Sequence, residues 1–387
     1  MKTIVCSVLG VLLTLTFMTA ASFAQQHSGK YLLYVGTYTK GESKGIYAFR
    51  YGSKLGRLSP LGLVAETANP SFLAVDPTQK FLYAVNELQD YKGAKSGAIT
   101  AYAIDRKTGK LSRLNEVASR GEDPCYISLD KTGKYVLVAN YTSGNIAVFP
   151  VQKDGSLGEA SAFVQHRGSG PNHQRQEGPH AHWIETTSDN RFAVVADLGL
   201  DKLLVYRFDA SKGTLTPNDP PAADLPPSSG PRHVAFTPDK RFAYSVNELK
   251  STVTAFSFNA AQGVLKPFQT LSTLPKEFSG ENDTAEIHVA PNGKFLYASN
   301  RGHDSIAEFS IDPKTGQLAF LHTFSTQGKT PRNFELDPTG SRLLVANEDT
   351  GDIFVFRLDP SDGREMLATD DSVKVPSPVS LRFVPEP

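Results

Sequence analysis

The sequence predicts an all-β protein, a seven-bladed β-propeller built from four-stranded antiparallel blades. Three observations predict it. One unit recurs six times along the chain, a seventh copy is split between the two ends, and apolar residues come in short alternating runs punctuated by 31 glycines and 25 prolines.

The repeated unit is clearest in NPSFLAVDPTQKFLYAVNE, GPRHVAFTPDKRFAYSVNE and TPRNFELDPTGSRLLVANE. Its leading positions, Pro70, Pro124, Pro179, Pro231, Thr284 and Pro331, fall at intervals of 54, 55, 52, 53 and 47 residues. Each copy reads as a hairpin, with a strand, a turn such as DPTQK or APNGK, and a second strand ending in Asn or Asp. A third strand of β-branched and aromatic residues follows, as in AITAYAI, NIAVFPV and KLLVYRF. A glycine-containing turn such as DRKTGKL then leads to a fourth, outer strand. The seventh copy takes its first strand from SPVSLRFVP at 377–385 and its second from KYLLYVGTY at 30–38. Pieces that interlock in this way describe a closed ring without an unpaired terminal blade. A parallel-sheet solenoid has no reason to divide one unit between the termini.

Residues 1–24 have the layout of a secretory signal peptide: Lys2, an apolar run from Ile4 to Phe17, and small residues up to Ala24. The run is too short for a transmembrane anchor. The expectation is an exported protein, periplasmic or secreted, with residues 25–387 forming a single propeller domain and no membrane attachment after cleavage. Cys125 would then be the only cysteine left, so no internal disulfide can form and burial must supply the stability. Forty basic and forty acidic residues cancel, without a block of like charge. Neither nucleic acid nor an anionic membrane is indicated as a partner, which leaves a small molecule.

In such a ring the start of each first strand and the end of each second strand share one rim around the central channel. The first-strand positions there are Ser71, Cys125, His180, Arg232, Ala285, Arg332 and Val379, and those after the second strand are Thr37, Glu87, Tyr141, Leu198, Glu248, Arg301 and Glu348. The stretch GPHAHWIE places His180 and His182 two apart, directly behind Gly-Pro and ahead of the only tryptophan. On a strand both would point to one side. A zinc site would need further ligands such as His173 or Glu177, and no established ligand spacing is present. No metal and no organic cofactor are expected, so the histidines read as acid–base or binding groups, or as hydrogen-bonding residues between blades.

Arg232, Arg301 and Arg332 could pair with Glu248, Glu348 or Glu286 on neighbouring blades, but three guanidiniums converging on one mouth suit bidentate capture of a carboxylate or phosphate. Glu248 among them is either a general base or an arginine-orienting partner. The long connection at 164–180, VQHRGSGPNHQRQEGPH, reaches the same rim and adds His173, Arg175 and Glu177. Arg332, Arg175, His173 and Glu286 are the substrate-binding candidates.

The stretches SGPNHQRQEGPHAHW, GPRHVAFTPDKRFAYSVNEL and HVAPNGKFLYASNRGHDSIAEF closely resemble the seven-bladed propeller lactonase family, which contains the propeller-type 6-phosphogluconolactonases and is related to carboxymuconate cyclases. The resemblance covers about residues 30–385. It implies cofactor-independent hydrolysis of an aldonolactone, with the site carried by His182 or His180, Arg232, Glu248 and Arg301. The alternatives are a lactonizing cyclase of the carboxymuconate type, or a propeller that binds a ligand or a protein without catalysis. The export signal departs from the cytoplasmic sugar-phosphate role of the family's phosphogluconolactonases and leaves open whether the substrate is phosphorylated.

Overall fold

The computed structural model describes residues 29–359 and 365–387, with the main chain alone for 365–371. The expected signal peptide lies outside the described residues. Seven four-stranded antiparallel sheets follow one another around a ring. Blade 1 runs from Leu73–Val75 to Leu111–Ala118, blade 2 from Pro124–Leu129 to Ala162–Gln165, and blade 3 from Ala181–Thr186 to Thr214–Asp224. Blade 4 runs from Pro231–Phe236 to Val264–Ser272, blade 5 from Asp283–Val289 to Leu318–Ser325, and blade 6 from Pro331–Leu336 to Glu365–Lys374. Blade 7 joins the chain ends: Pro378–Pro385 is its innermost strand and pairs antiparallel with Lys30–Thr37, Tyr34 opposite Arg382. Each innermost strand neighbours the next all the way round, so the ring is closed. A two-stranded ribbon, Asp90–Tyr91 with Ala94–Lys95, is an addition that the repeat does not foretell.

The repeated residues have repeated tasks. The hairpin-turn aspartates accept from the main chain that closes the turn: Asp76 from Phe81 N at 2.7 Å, Asp130 from Tyr135 N at 2.8 Å, Asp337 from Arg342 N at 3.0 Å. Three of the asparagines ending the second strands donate to the preceding blade's exit, Asn140 to Ser119 O, Asn300 to Thr273 O and Asn347 to Thr326 O, each at 3.0 Å, whereas Asn247 donates to Thr252 and Thr254 of its own blade. Blade 3 carries Asp197 at this place, an acceptor only, and three donors are supplied to it: His166 Nδ1 at 2.6 Å, His180 N at 2.8 Å and Leu200 N at 3.2 Å. Between blades, an aromatic ring at the start of a second strand packs on the outer-turn glycine of the next blade, as Phe192 does on Gly263 and Phe242 on Gly316. A Cβ at either glycine would lie about 2.5 Å or less from the ring, and both have positive φ, so glycine is required twice over. The apolar interiors of these blade-to-blade contacts hold the ring together, and Cys125, the cysteine among the described residues, is free.

Candidate active site

At the rim, the inner strands do not run straight. In blade 4, Pro231 pairs with Asn247 and His233 with Val246, so Arg232 is an extra residue with no partner of its own. The same bulge sets off Cys125 in blade 2, His182 in blade 3 and Arg332 in blade 6. A bulge re-aims one side chain away from the pleat. Here the re-aimed residues Cys125, His182 and Arg332 line a cavity of about 250 Å³, together with Glu87, Tyr141, Glu248 and Arg301 from the ends of the second strands, and Arg175 and Asp283.

The bulge corrects the expected equivalence of the two histidines. Ala181 pairs with Asp197 and Trp183 with Ala196, which makes His182 the counterpart of Arg232. His180 precedes the strand and, unlike His182, does not line the cavity. His180 stacks on Tyr141 with ring centroids 4.5 Å apart, places Nδ1 3.0 Å from Tyr141 O and Nε2 3.2 Å from Glu177, and so braces one wall of the cavity. His182 lies inside, its ring edge-on to Tyr141 and to His233, its Nδ1 3.7 Å from Cys125 Sγ. Burial, and then the Arg232 guanidinium, push the His182 pKa well below its ordinary value, so the ring is neutral.

Glu248 is the electrostatic centre. It accepts from Arg175 Nη2 at 2.5 Å through one oxygen and from Arg232 Nε at 3.1 Å through the other, which also forms an ion pair at 3.0 Å with Arg301 Nη2, a group that donates to Thr284 O. Burial alone would raise its pKa, but Arg301, Arg232 and Arg175 overcome this and bring it down to about 2. Burial, then Arg301 and Arg332, lower the pKa of Arg232 to about 10, which still leaves it charged at neutral pH. Arg332 donates to Tyr38 OH at 2.7 Å and lies 3.9 Å from Glu348. Arg175 arrives on the 164–180 connection, which Gln176 anchors by donating to Leu198 O at 2.9 Å and Asp201 at 2.8 Å.

Two carboxyls of the opposite tendency complete the cavity. Burial, and then the Glu248 charge, raise the pKa of Asp283, with Arg301 only partly opposing. Burial also raises Glu87, which accepts from Tyr38 OH at 2.9 Å. Sequence reasoning placed Glu87 on the rim without giving it a role, and missed Asp283. The signal for Asp283 was weak, because it stands one residue ahead of the repeat's leading Thr284 and joins the site only through its register opposite Arg301.

The remaining candidates lie elsewhere. His173 is exposed on the connection and does not line the cavity. Glu286 is 4% exposed and sits deeper in the channel, one residue beyond the rim position Ala285: Thr284 pairs with Asn300 and Ile287 with Ala298, so Ala285 and Glu286 stand opposite Ser299 alone and the strand carries one extra residue, as in the other bulged blades. It lines a separate cavity of about 410 Å³ near the hairpin turns, with Trp183, His288 and Arg382. In that larger cavity the charges are tied to one another, Arg382 to Glu335 at 2.9 Å, and Tyr126 OH donates to Glu185 at 2.7 Å. In the smaller one, Glu248 is held ionised by three arginines while the pKa of the neighbouring Asp283 is raised. Among the described residues there is no group of three or more His, Cys, Asp or Glu that could hold a metal ion. No helix among them is long and apolar enough to cross a membrane.

Fold and site together define a seven-bladed propeller with a buried arginine–carboxylate cluster at one mouth of its channel. The chain belongs to the lactonase family of seven-bladed β-propellers, whose family model matches residues 32–383. It is 40% identical to a Bacillus subtilis protein named 6-phosphogluconolactonase, over 92% of this chain and 99% of that one. A Formosa agariphila protein of the same name is 34% identical over 86% of this chain and 94% of its own. The structure of a Pseudomonas aeruginosa periplasmic gluconolactonase superposes with a TM-score of 0.87 at 38% identity, covering 92% of this chain and all of that one.

Proposed function

We propose that the chain is a lactone hydrolase that opens an aldonolactone to its acid in the 250 Å³ cavity, without a metal or organic cofactor. One observation carries this reading: an ionised Glu248 holds three guanidiniums in place beside Asp283, a carboxyl whose charge is disfavoured. Glu248, with a pKa of about 2 and both oxygens engaged, is a poor proton acceptor and acts by orienting the arginines. Asp283 is the better base, since taking a proton neutralises it, whereas a proton on His182 would add a cation beside Arg232 and Arg332.

In this scheme water adds to the lactone carbonyl carbon and passes its proton to Asp283. Negative charge gathers on the carbonyl oxygen and is met by Arg301, whose buried Nε has no acceptor among the described residues. The ring C–O bond then breaks, and the departing alkoxide recovers the proton from Asp283. His182 remains neutral as a hydrogen-bonding contact for the sugar. A well-placed donor of this kind contributes about 3 to 4 kcal/mol to the transition state.

The arginines are already partly committed to protein acceptors, which favours a hydroxyl-rich lactone as a substrate alongside its phosphorylated form. The relatives support both, one named for 6-phosphogluconolactone and one for gluconolactone. Export is supported by the layout of residues 1–24 and by the likeness to a periplasmic protein. The test is the opening of gluconolactone and 6-phosphogluconolactone beside a buffer blank, before and after exhaustive chelation. Acceleration of both that survives chelation is expected. Rates equal to the blank, or activity lost on chelation and restored by one divalent ion, would overturn the reading.

A further inference from the structure

We propose that Asn333, Glu286 and His233 form a positioning relay that fixes Arg232, and through it Glu248, from beneath the active-site cavity. The four residues Asn333, Glu286, His233 and Arg232 belong to three successive blades and are all buried, at 1%, 4%, 2% and 3% exposure. None of Asn333, Glu286 or His233 lines the cavity, yet their hydrogen bonds run toward it in one direction.

The direction follows from the ends of the chain. Asn333 Oδ1 accepts from Leu381 N at 2.9 Å, so the amide nitrogen faces Glu286 Oε2 and donates to it at 2.6 Å. Glu286 Oε1 accepts from Ile287 N at 3.0 Å and lies 2.8 Å from His233 Nδ1. An ionised carboxylate can only accept, so the His233 proton is on Nδ1. Burial, opposed by the Glu286 charge and reinforced by Arg232, lowers the pKa of this ring to about 4 and keeps it neutral. Its Nε2 therefore presents a lone pair, 3.3 Å from Arg232 Nη1, a group that can only donate. The same Nη1 donates to Ala285 O at 2.7 Å, and Nε is left to meet Glu248.

The other tautomer reverses two contacts at once. It would set an N–H of His233 against an N–H of Arg232 and a lone pair against the carboxylate. The nearby groups do not supply another partner for that N–H: the His182 ring is edge-on at 5.3 Å, and His288 Nε2 is 4.0 Å from Glu286 rather than from His233. Glu286 follows the rim position Ala285 and so comes within 2.8 Å of His233 one step further along the strand, where Ser299 Oγ also receives the Glu286 N–H at 2.9 Å. These residues act through Arg232 and touch no substrate.

The inference rests on the lactone-opening reading only for its kinetic arm. ¹⁵N NMR of the histidine-labelled native protein reads the tautomer without any substrate, so failure of the relay and failure of that reading are separate results. His233 should show a protonated Nδ1 and a bare Nε2 at neutral pH. In Glu286→Gln the carboxylate charge is lost and the amide can offer either its oxygen or its nitrogen, so both tautomers should be populated. With gluconolactone, kcat should then fall by about tenfold to a hundredfold, as is usual when an orienting partner is removed, while KM changes little. A native ring protonated on Nε2 would overturn the relay, whether or not the variant folds. So would a folded Glu286→Gln protein that keeps the native kcat.

Discussion

Arg232 Nε lies 3.1 Å from Glu248 Oε2, although Arg232 sits on the first strand of the hairpin and Glu248 opens the 3-10 turn just after the second, and a straight register would turn Arg232 along the pleat. The bulge at Arg232 makes the contact, and Arg301 reaches the same oxygen from the next blade. A single carboxylate therefore holds one hairpin to its neighbour and to the 164–180 connection.

This pairing has an acid signature. The folded pKa of Glu248 is depressed from 4.5 to about 2, so its stabilisation is fully present above the unfolded value and is lost as pH falls from 4.5 through about 2. The difference corresponds to on the order of 3 kcal/mol. Urea melts across this window should show native stability dropping, and Glu248→Gln, already lacking the charge, should show a shallower slope. Parallel slopes would mean that the three arginines do not stabilise the ionised form.

Asp283 should set the acid limb of the rate profile. Its pKa is raised above the ordinary aspartate value, so kcat/KM is expected to fall off at a pH above that value and far above the titration of Glu248. Asp283→Asn should lower kcat by about 100-fold to 10,000-fold and abolish the limb. An unchanged limb in that variant would move the base to Glu87 or His182.

Much of this was legible in the chain. The split copy at 30–38 and 377–385 shows ring closure directly, and the repeat puts Arg232, Glu248, Arg301 and Arg332 on one rim. What alternation cannot show is a bulge. It adds one residue to a strand, so His182 and not His180 enters the cavity, while in blade 5 Glu286 stands one position beyond the rim residue Ala285 and lies below the cavity. The pairing of Arg232, Arg301 and Arg332 with glutamates was one of two readings. The structure realises it for Glu248 and Glu348, which leaves fewer free donors than three converging arginines suggest.

Gly199 should be intolerant of a side chain for a reason of position. A Cβ there would lie 1.9 Å from Gly178 O and 2.8 Å from His180 N, backbone atoms that cannot rotate away. Gly199→Ala is expected to push the 178–180 segment outward and to cost about 1 to 3 kcal/mol of stability. Because the same connection delivers Arg175 and His180, KM should rise as well. A variant with native melting and native KM would show that the segment yields freely.

Selectivity for phosphate should be modest. Arg332 is already shared with Tyr38 and Glu348, so a phosphate gains one charge-assisted contact worth about 1.5 to 3 kcal/mol, or roughly 10-fold to 150-fold in kcat/KM. Arg332→Ala should bring the ratio of phosphorylated to plain gluconolactone toward unity. A native ratio above about 10,000 would identify a dedicated phosphogluconolactonase and contradict this use of the arginine.

The most direct test is the initial rate of gluconolactone opening, corrected for spontaneous hydrolysis, in the native protein, Arg301→Ala and Glu248→Gln, each first shown to be folded by its near-UV circular dichroism. The native protein should accelerate opening. Both variants should lose about 100-fold to 1,000-fold in kcat, one by removing an oxyanion donor and the other by releasing it from its anchor. Native rates in both folded variants would contradict the account and place the chemistry outside the arginine–carboxylate cavity.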